Sequence, residues 1–248
     1  MDLQEFFRNN PTVALAFSGG VDSAYLLYAA KKHGAEVRAY YVKSAFQPQF
    51  ELEDAKRLAK ELGADMKILE ADVLGDALVT ANPADRCYHC KKRIFSEIGK
   101  AAAADGFSVL MDGTNASDDA GDRPGMRALQ ELSVRSPLRE CGLTKDEIRR
   151  LSKEAGLFTW NKPAYACLAT RIPTGEPITA EKLQKTEQAE DFLFSLGLTD
   201  FRVRRFGGAA RLQFPEGQLS KVLEKRTEIA EELKKYYDAV LLDLEVRE

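Results

Sequence analysis

The segment Ser18-Gly19-Gly20-Val21-Asp22-Ser23 combines residue types that suit the binding of phosphate groups. It directly follows a short apolar run at 13–17, and a helical pattern begins inside it. Glycines let backbone N–H groups approach an anion, and a helix N-terminus adds the positive end of its dipole. The serine hydroxyls can donate to phosphate oxygens, and the aspartate carboxylate suits a Mg²⁺ ion beside them. The segment therefore predicts a phosphate loop; a turn that merely caps a helix is the alternative.

Three of the four cysteines could act together in metal or sulfur chemistry. Cys87 and Cys90 form a C-x-x-C pair at the start of a predicted helix, and Cys167 lies in a later loop. The pair alone fits a redox dithiol, half of a zinc site or part of an iron–sulfur site. A structural zinc site usually has four ligands and the chain has no second C-x-x-C, although His89 could contribute. Three thiolates fit a 4Fe–4S cluster with one iron left open, and small buried side chains are the plain alternative.

The elements that would position these groups alternate between strand and helix. Besides 13–17, we predict strands at 37–42, 66–69 and 108–111, with a fifth near Val134. Helices are predicted at 22–33, 51–62 and 88–104. This alternation indicates an α/β fold, a parallel sheet with helices on both faces. Ligands of such sheets lie beyond the carboxyl ends of the strands, where the phosphate loop and the Asp112-Gly113-Thr114 turn both fall.

The pattern changes in the last third of the chain. Thr144 and Glu147 form a capping box that opens a helix, and the stretch from Trp160 to Pro177 resembles a domain junction. Beyond it we predict a helix at 179–196, strands at 201–206 and 209–214, a long helix at 216–236 and a strand at 239–244. The predicted domains are therefore a phosphate-loop domain at 1–165 and a small α+β domain at 166–248.

Composition excludes some classes of protein. The 248 residues are 44% hydrophobic and 30% charged, with a formal net charge of -3. The chain lacks the overall basic charge of a dedicated nucleic-acid binder. No stretch approaches the ~20 apolar residues of a membrane span, and the N-terminal pattern is not that of a signal peptide. We therefore expect a cytoplasmic protein with no nucleic-acid or membrane partner, whose cysteines, including a structural Cys141, are not disulfide-bonded.

The phosphate loop is not a Walker A motif, because no G-x-x-x-x-G-K-[ST] sequence is present. It resembles the PP-loop of the ATP pyrophosphatases, which split ATP between the α and β phosphates. Three later motifs make the resemblance more specific: Asp112-Gly113 with Asp122-Arg123-Pro124-Gly125, Asn161-Lys162 with Arg171, and Phe201-Arg202-Val203-Arg204. With them, the chain resembles the LarE family over nearly its whole length.

The resemblance implies an ATP-dependent sulfur transferase that serves synthesis of a nickel-pincer nucleotide cofactor. Such enzymes adenylate the carboxylates of pyridinium-3,5-dicarboxylic acid mononucleotide and convert them to thiocarboxylates. A nucleotide substrate, sulfide or another sulfur donor, and a homo-oligomer are the partners expected. The implied ATP-binding residues, with Mg²⁺, are Ser18, Gly19, Gly20, Asp22, Ser23 and Gly113. The implied substrate-binding residues are Arg171, Glu190, Arg202 and Arg204, with Asp118 or Asp119 as further candidates.

The two arginines of the last motif have a physical reason to act together. Arg202 and Arg204 alternate along a predicted strand, so they face the same side. Two guanidinium groups on one face suit a substrate phosphate or carboxylate. The alternative is a solvated strand face.

The cysteines depart from one branch of the family. There, a single cysteine of the Asn-Lys…Arg loop gives up its own sulfur, and its position aligns with Ala166 here. The chain instead resembles a three-cysteine branch with an iron–sulfur cluster. The catalytic residues implied are Cys167, Cys87, Cys90 and Asp22, with the three cysteines as ligands of a 4Fe–4S cluster. A loop alignment shifted by one residue would make Cys167 the sacrificial residue.

The sequence leaves two other functions open. A tRNA thiolase also pairs a PP-loop with three cysteines, but it needs an RNA-binding surface that the net acidity does not favour. A non-catalytic module that binds ATP is the second alternative. Release of pyrophosphate in the presence of substrate would exclude the second.

Overall fold

The computed structural model of the chain describes residues 1–118 and 124–247. Up to residue 118 its elements are α1 (Leu3–Asn9), β1 (Thr12–Ala16), α2 (Val21–Lys32), β2 (Glu36–Lys43), α3 (Gln49–Glu61), β3 (Asp65–Glu70), α4 (Ala77–Thr80), α5 (Arg86–Ala104) and β4 (Val109–Met111). From residue 124 they are α6 (Pro124–Glu131), α7 (Pro137–Glu140), α8 (Lys145–Glu154), α9 (Ala180–Ser195), β5 (Arg202–Phe206), β6 (Ala209–Gln213), α10 (Leu219–Glu224), α11 (Arg226–Leu233) and β7 (Val240–Leu242).

The chain divides into two compact units. The first contains residues 1–72 and 85–162, and the second contains residues 73–84 and 163–248. The short segment 73–84 thus belongs with the C-terminal part of the chain. It is attached there by Asn82, whose side-chain amide donates to the carbonyl oxygens of Pro173 at 2.7 Å and Glu176 at 3.0 Å. The functional division after residue 165 stays a prediction.

The first unit is built on a parallel sheet with the strand order β3-β2-β1-β4. Successive residues of each buried strand point to opposite faces. Leu15 and Tyr41 pack into the cluster that includes α2 and α3, whereas Ala14 and Tyr40 pack with α5. Helices therefore cover both faces, and the α/β prediction is confirmed.

The second unit contains a three-stranded sheet with the order β5-β6-β7. β5 and β6 form the predicted antiparallel hairpin around Gly207, which has φ +58°, and β7 pairs parallel to β6. Its core includes Leu193 of α9 and Phe201, Phe214 and Leu233. Within residues 1–118 and 124–247, no helix combines the length and the apolar character needed to cross a bilayer.

Two predicted elements are wrong. Near Val134 the structure has only an isolated bridge between Met111 and Arg135, because Ser133 takes a left-handed φ of 54° just before it and α7 begins just after it. The long helix predicted at 216–236 is divided into a 3₁₀ turn (Glu216–Gln218), α10 and α11. Lys225, with ψ 6°, lies outside helical geometry between the last two.

Candidate active site

The phosphate loop, residues 18–23, connects the carboxyl end of β1 to the start of α2. Its shape is held mainly by one hydroxyl group. Ser23 Oγ donates to the carbonyl oxygen of Gly20 at 3.2 Å, accepts from the backbone N–H of Ser18 at 3.3 Å and lies 3.1 Å from Ser18 Oγ. Ser23 is buried and Ser18 is exposed. Ser23 therefore organises the loop, while Ser18 has the more accessible hydroxyl.

Two glycines allow close packing around the phosphate loop. Gly19 has φ +73°, and a Cβ atom there would lie 3.1–3.3 Å from Ala55 of α3. A Cβ atom at Gly113, after β4, would lie 2.9 Å from the backbone nitrogen of Ser23. Such a distance is shorter than real Cβ contacts. A side chain at position 113 would therefore clash with the backbone of the phosphate loop, and glycine allows the close packing between them.

The N-terminus of α2 differs from that of α8. Gly20 is the N-cap of α2, and among the described residues no side chain caps this helix. In α8, Thr144 accepts from the backbone N–H of Glu147, and the Glu147 side chain reaches back to Thr144, as the predicted capping box requires. The first N–H groups of a helix without a side-chain cap are oriented to receive an anion. α2 thus has the helix end that suits a phosphate.

Asp22 interacts with two side chains that the sequence did not single out. Its carboxylate accepts from Lys145 Nζ at 2.5 Å and from Asn115 Nδ2 at 3.3 Å. Lys145 is the first residue of α8, and Asn115 follows β4, so three segments meet at this carboxylate. The side chain of Asp22 is 22% exposed, which leaves it accessible to a ligand. The capping box predicts that Lys145 lies at the start of α8. No pattern in the sequence predicts that it pairs with Asp22, which lies 123 residues earlier.

A buried carboxylate holds the turn that carries Gly113. Asp112 is 6% exposed and accepts from the hydroxyls of Thr114 at 2.5 Å and Ser136 at 2.7 Å. Asp118 accepts from the backbone N–H of Asn115 at 2.9 Å. These bonds fix the residues after β4 opposite the phosphate loop. Asp119, Asp122 and Arg123, which the family resemblance also points to, lie outside the described residues.

In the second unit, Glu190 of α9 is the centre of a buried network that we call the Glu190 cluster (Tyr165, Arg171, Glu190, Arg202 and Arg204). Glu190 and Arg171 form a two-point ion pair at 2.7 and 3.1 Å, with side chains only 1% and 0% exposed. Glu190 also accepts from the Tyr165 hydroxyl and, at 3.0 Å, from the backbone N–H of Val203. Arg171 and Glu190 thus bind each other rather than facing solvent.

The three arginines of the Glu190 cluster donate to the backbone of the loop that carries Cys167. Arg171 Nη1 donates to the carbonyl oxygen of Ala166 at 3.0 Å, Arg202 donates to that of Ala164, and Arg204 donates to that of Thr170 at 2.7 Å. Burial, followed by repulsion from Arg171 and Arg247, lowers the pKa of Arg202 to about 10. The Glu190 cluster therefore shapes the loop. Its three guanidinium groups outnumber its one carboxylate, which leaves an excess of positive charge.

The cysteines lie in different parts of the chain. Cys87 is exposed and Cys90 half-buried in the first turns of α5, and Arg86 Nη2 lies 3.7 Å from the Cys87 sulfur. Cys167 is half-buried in the second unit, at the start of a 3₁₀ turn. Within the described part of the chain, no group of three or more His, Cys, Asp or Glu side chains is arranged to hold a metal ion. Cys141 packs against the core of the first unit, where burial raises the pKa of its thiol.

Similar proteins share these regions. The family described as queuosine biosynthesis protein QueC matches residues 12–93, which include the phosphate loop and the C-x-x-C pair. An uncharacterized protein of Synechocystis is 37% identical over 226 residues, or 90% of this chain and 84% of its own.

Two relatives with named activities match different shares of the chain. A protein of Lactiplantibacillus plantarum named pyridinium-3,5-bisthiocarboxylic acid mononucleotide synthase is 35% identical over 213 residues, 85% of this chain and 77% of its own. The tRNA-specific 2-thiouridylase MnmA of Thermotoga sp. is 27% identical over 195 residues, 60% of this chain and 54% of its own. Because 213 residues exceed the length of 1–162, the match to the synthase extends into the second unit.

Proposed function

Because the chain belongs to the LarE family of PP-loop sulfur transferases, we propose that it makes thiocarboxylates on pyridinium-3,5-dicarboxylic acid mononucleotide. In the first step a substrate carboxylate attacks the α-phosphorus of ATP and pyrophosphate leaves. In the second, a sulfur nucleophile forms a C–S bond as the C–O bond to AMP breaks. The observation that carries the proposal is the identity to the L. plantarum synthase, which extends into both compact units.

The first unit supplies the ATP site in this proposal. Ser18, Gly19, Gly20 and Ser23 bind phosphate oxygens, and Gly113 fixes the loop. The support is the N-terminus of α2, which has no side-chain cap among the described residues, and the loop geometry set by Ser23. Asp22 offers a partly exposed carboxylate, the ligand type that Mg²⁺ takes when bound together with phosphates. A bound Mg²⁺ would neutralise charge on the phosphates.

The second unit supplies the substrate site. Arg202 and Arg204 attract the substrate phosphate or carboxylates, while Arg171 and Glu190 shape the loop that presents Cys167. Burial is the main cause of the lowered pKa of Arg202, but repulsion from Arg171 and Arg247 adds to it, and this excess of positive charge supports the assignment. An anion bound beside the arginines would remove part of their mutual repulsion. The side chain of Arg204 is only half-buried, which favours it as the residue in direct contact with the ligand.

We further propose that Cys87, Cys90 and Cys167 bind a 4Fe–4S cluster that carries the sulfur, so that the chain is catalytic rather than sacrificial. The support is the cysteine pattern, a C-x-x-C pair and a later single cysteine, which resembles that of the cluster-binding branch of the family. All three thiols are at least partly exposed.

The sulfur source is tested by chemical analysis and turnover. Protein purified without oxygen is expected to contain iron and labile sulfide, and serine at any of the three positions should lower both. Supplied with sulfide, each subunit should make many thiocarboxylates, and mass spectrometry should find Cys167 unchanged. If Cys167 instead loses about the mass of hydrogen sulfide and turnover stops near one sulfur per chain, sulfur transfer is sacrificial. The sulfur donor and the homo-oligomeric state stay predictions.

Asp22→Ala tests the adenylation step. We expect pyrophosphate release to fall by about 10²-fold or more, because a preorganised charged group is removed from the reacting site. Asp146→Ala is a matched control, since Asp146 lies next to Lys145 on the exposed surface of α8. Normal pyrophosphate release from Asp22→Ala would contradict the assignment of the phosphate loop.

The similarity to MnmA makes tRNA thiolation the second candidate. The two candidates differ in the molecule that stimulates pyrophosphate release. We expect the dicarboxylated nucleotide to do so and unmodified tRNA to have no effect. Stimulation by tRNA, with 2-thiouridine found in the recovered RNA, would make tRNA thiolation the favoured function. ATP binding without pyrophosphate release from any acceptor would indicate a non-catalytic module.

A further inference from the structure

Lys145 has an unusual position for a lysine in a surface ion pair. Its Nζ lies 2.5 Å from Oδ2 of Asp22, and the two side chains are 30% and 22% exposed. Its backbone N–H donates to Ser117 Oγ at 2.9 Å, and the capping box holds the helix end that carries it. Surface lysines generally keep several rotamers, whereas this ammonium group has been brought to one carboxylate of the phosphate loop. That carboxylate belongs to the second residue of α2.

The carboxylate of Asp22 would repel a phosphate bound in the same loop, and a cation is needed to offset this repulsion. Asp22 brings a negative charge into the loop whose N–H groups and helix end are oriented for phosphate. A carboxylate and a polyphosphate in the same loop repel each other unless positive charge lies near both. Lys145, the first residue of α8, brings that charge, so its ammonium group and the N-terminus of α2 lie together at Asp22. The arrangement suits a ligand with several negative charges.

The part of ATP that best fits such a site is its pyrophosphate portion. The β and γ phosphates carry most of the charge of ATP, and the loop at the start of α2 is the place prepared for it. An ammonium group has three N–H donors on a flexible stem. One donor can stay with Asp22 while the others reach phosphate oxygens.

We propose that Lys145 is a catalytic residue that binds the β and γ phosphates of ATP and stabilises the departing pyrophosphate. This inference rests on the proposed ATP-dependent adenylation. As the substrate carboxylate forms a bond to the α-phosphorus, the bond from that phosphorus to the bridging oxygen breaks. The electron pair leaves with pyrophosphate. Lys145 supplies positive charge where this negative charge accumulates, and no proton transfer is required. In the structure the same ammonium neutralises Asp22.

Binding of three ligands tests the proposal without any sulfur chemistry. We would titrate ATP, inorganic pyrophosphate and AMP at a fixed magnesium chloride concentration against the unaltered chain, Lys145→Met and Lys145→Arg. Lys145→Met is expected to weaken ATP and pyrophosphate binding by about tenfold to a hundredfold, as for a lost charged hydrogen bond. AMP binding should change less than about threefold, since AMP lacks the groups involved. Lys145→Arg should recover part of the loss, and Lys153→Met, on the same helix, should have no effect.

A double-mutant cycle separates direct binding from an effect through Asp22. If Lys145 only positions Asp22, Lys145→Met has no consequence in the Asp22→Asn background. If Lys145 contacts the phosphates, pyrophosphate binding still weakens there. Equal losses for AMP and pyrophosphate, or unchanged pyrophosphate binding, would overturn the proposal. Failure to form thiocarboxylate while the pyrophosphate result holds would instead contradict the proposed function and leave the role of Lys145 intact.

Discussion

The phosphate loop and the Glu190 cluster are both rich in polar groups, but they use these groups differently. In the loop, backbone N–H groups at the start of α2 have no side-chain cap among the described residues, and Asp22 stays 22% exposed. In the Glu190 cluster, Glu190 and Arg171 are almost fully buried and bind each other. The loop thus keeps its donors for a ligand, whereas most donors of the cluster are engaged within the protein.

Burial explains this difference. A charge removed from water must be paired and hydrogen-bonded, so the Glu190 carboxylate is surrounded by Arg171, Tyr165 and a backbone N–H. The phosphate loop lies at the end of the sheet, where solvent can satisfy its groups until an anion replaces it. A cluster of arginines therefore indicates a ligand site less reliably than a glycine-rich helix start does, because arginines also stabilise loops.

The largest effect is expected from Glu190→Ala. Its removal leaves the buried guanidinium of Arg171 without its partner carboxylate, which should lower the free energy of unfolding by about 3–5 kcal/mol. Urea titration of the chain measures this. Glu181→Ala is the matched control on the same helix, since its solvent-exposed pair with Lys185 should contribute little to stability. Similar losses for the two variants would show that the Glu190 cluster is not the stabilising network described above.

Gly113→Ala should affect the phosphate loop in particular. The added methyl group would lie 2.9 Å from the backbone nitrogen of Ser23, so the loop must shift. We expect a loss of about 1–3 kcal/mol in stability, together with weaker ATP binding, as overpacking strains the site. Gly99→Ala, with open space around it in the middle of α5, should instead raise stability by up to about 1 kcal/mol. Unchanged ATP affinity in Gly113→Ala would mean that the loop adapts without consequence.

Substitutions of Arg202 and Arg204 in β5 should distinguish a structural role from substrate binding. Arg202→Ala removes the donor to the carbonyl oxygens of Phe201 and Ala164, at a cost of about 1–2 kcal/mol after relief of its repulsion with Arg171. Arg204→Ala should cost less stability because the side chain is only half-buried. Both should weaken binding of the dicarboxylated nucleotide far more than binding of ATP. Equal losses for the two ligands would assign the arginines to structure or to ATP.

The smallest effect concerns a partly buried charge network around Asp105 in the first unit. Asp105 accepts from Lys67, Tyr40 and Arg38, which lower its pKa from 3.8 to about 2. A carboxylate with a lowered folded-state pKa stabilises the fold above its unfolded pKa and loses that contribution as pH falls through the folded value. Stability should therefore decline between about pH 4 and pH 2. Asp105→Asn should flatten this dependence in thermal unfolding scans, whereas Asp65→Asn should change it little, because Asp65 is 61% exposed.

Local patterns predicted much of this structure. The apolar runs and glycine-ended helical patterns of the first unit indicated the parallel sheet, and the motif at 18–23 indicated the phosphate loop where it is observed. The capping box at Thr144 was also predicted. These features depend on residues close together in the chain, where backbone geometry and hydrogen bonding follow from residue type. The division of 216–236 into two helices was missed because its helical pattern is continuous in the sequence.

The sequence by itself determined the fold class and the phosphate loop, because glycine content, helix starts and apolar periodicity are local properties. Only the tertiary structure decided which charges are available for chemistry. It paired Lys145 with Asp22 across 123 residues, and it buried Arg171 against Glu190. It also packed Gly113 against the backbone of Ser23. Such pairings depend on how distant segments pack, and burial then determines whether a charge faces a ligand or another part of the protein.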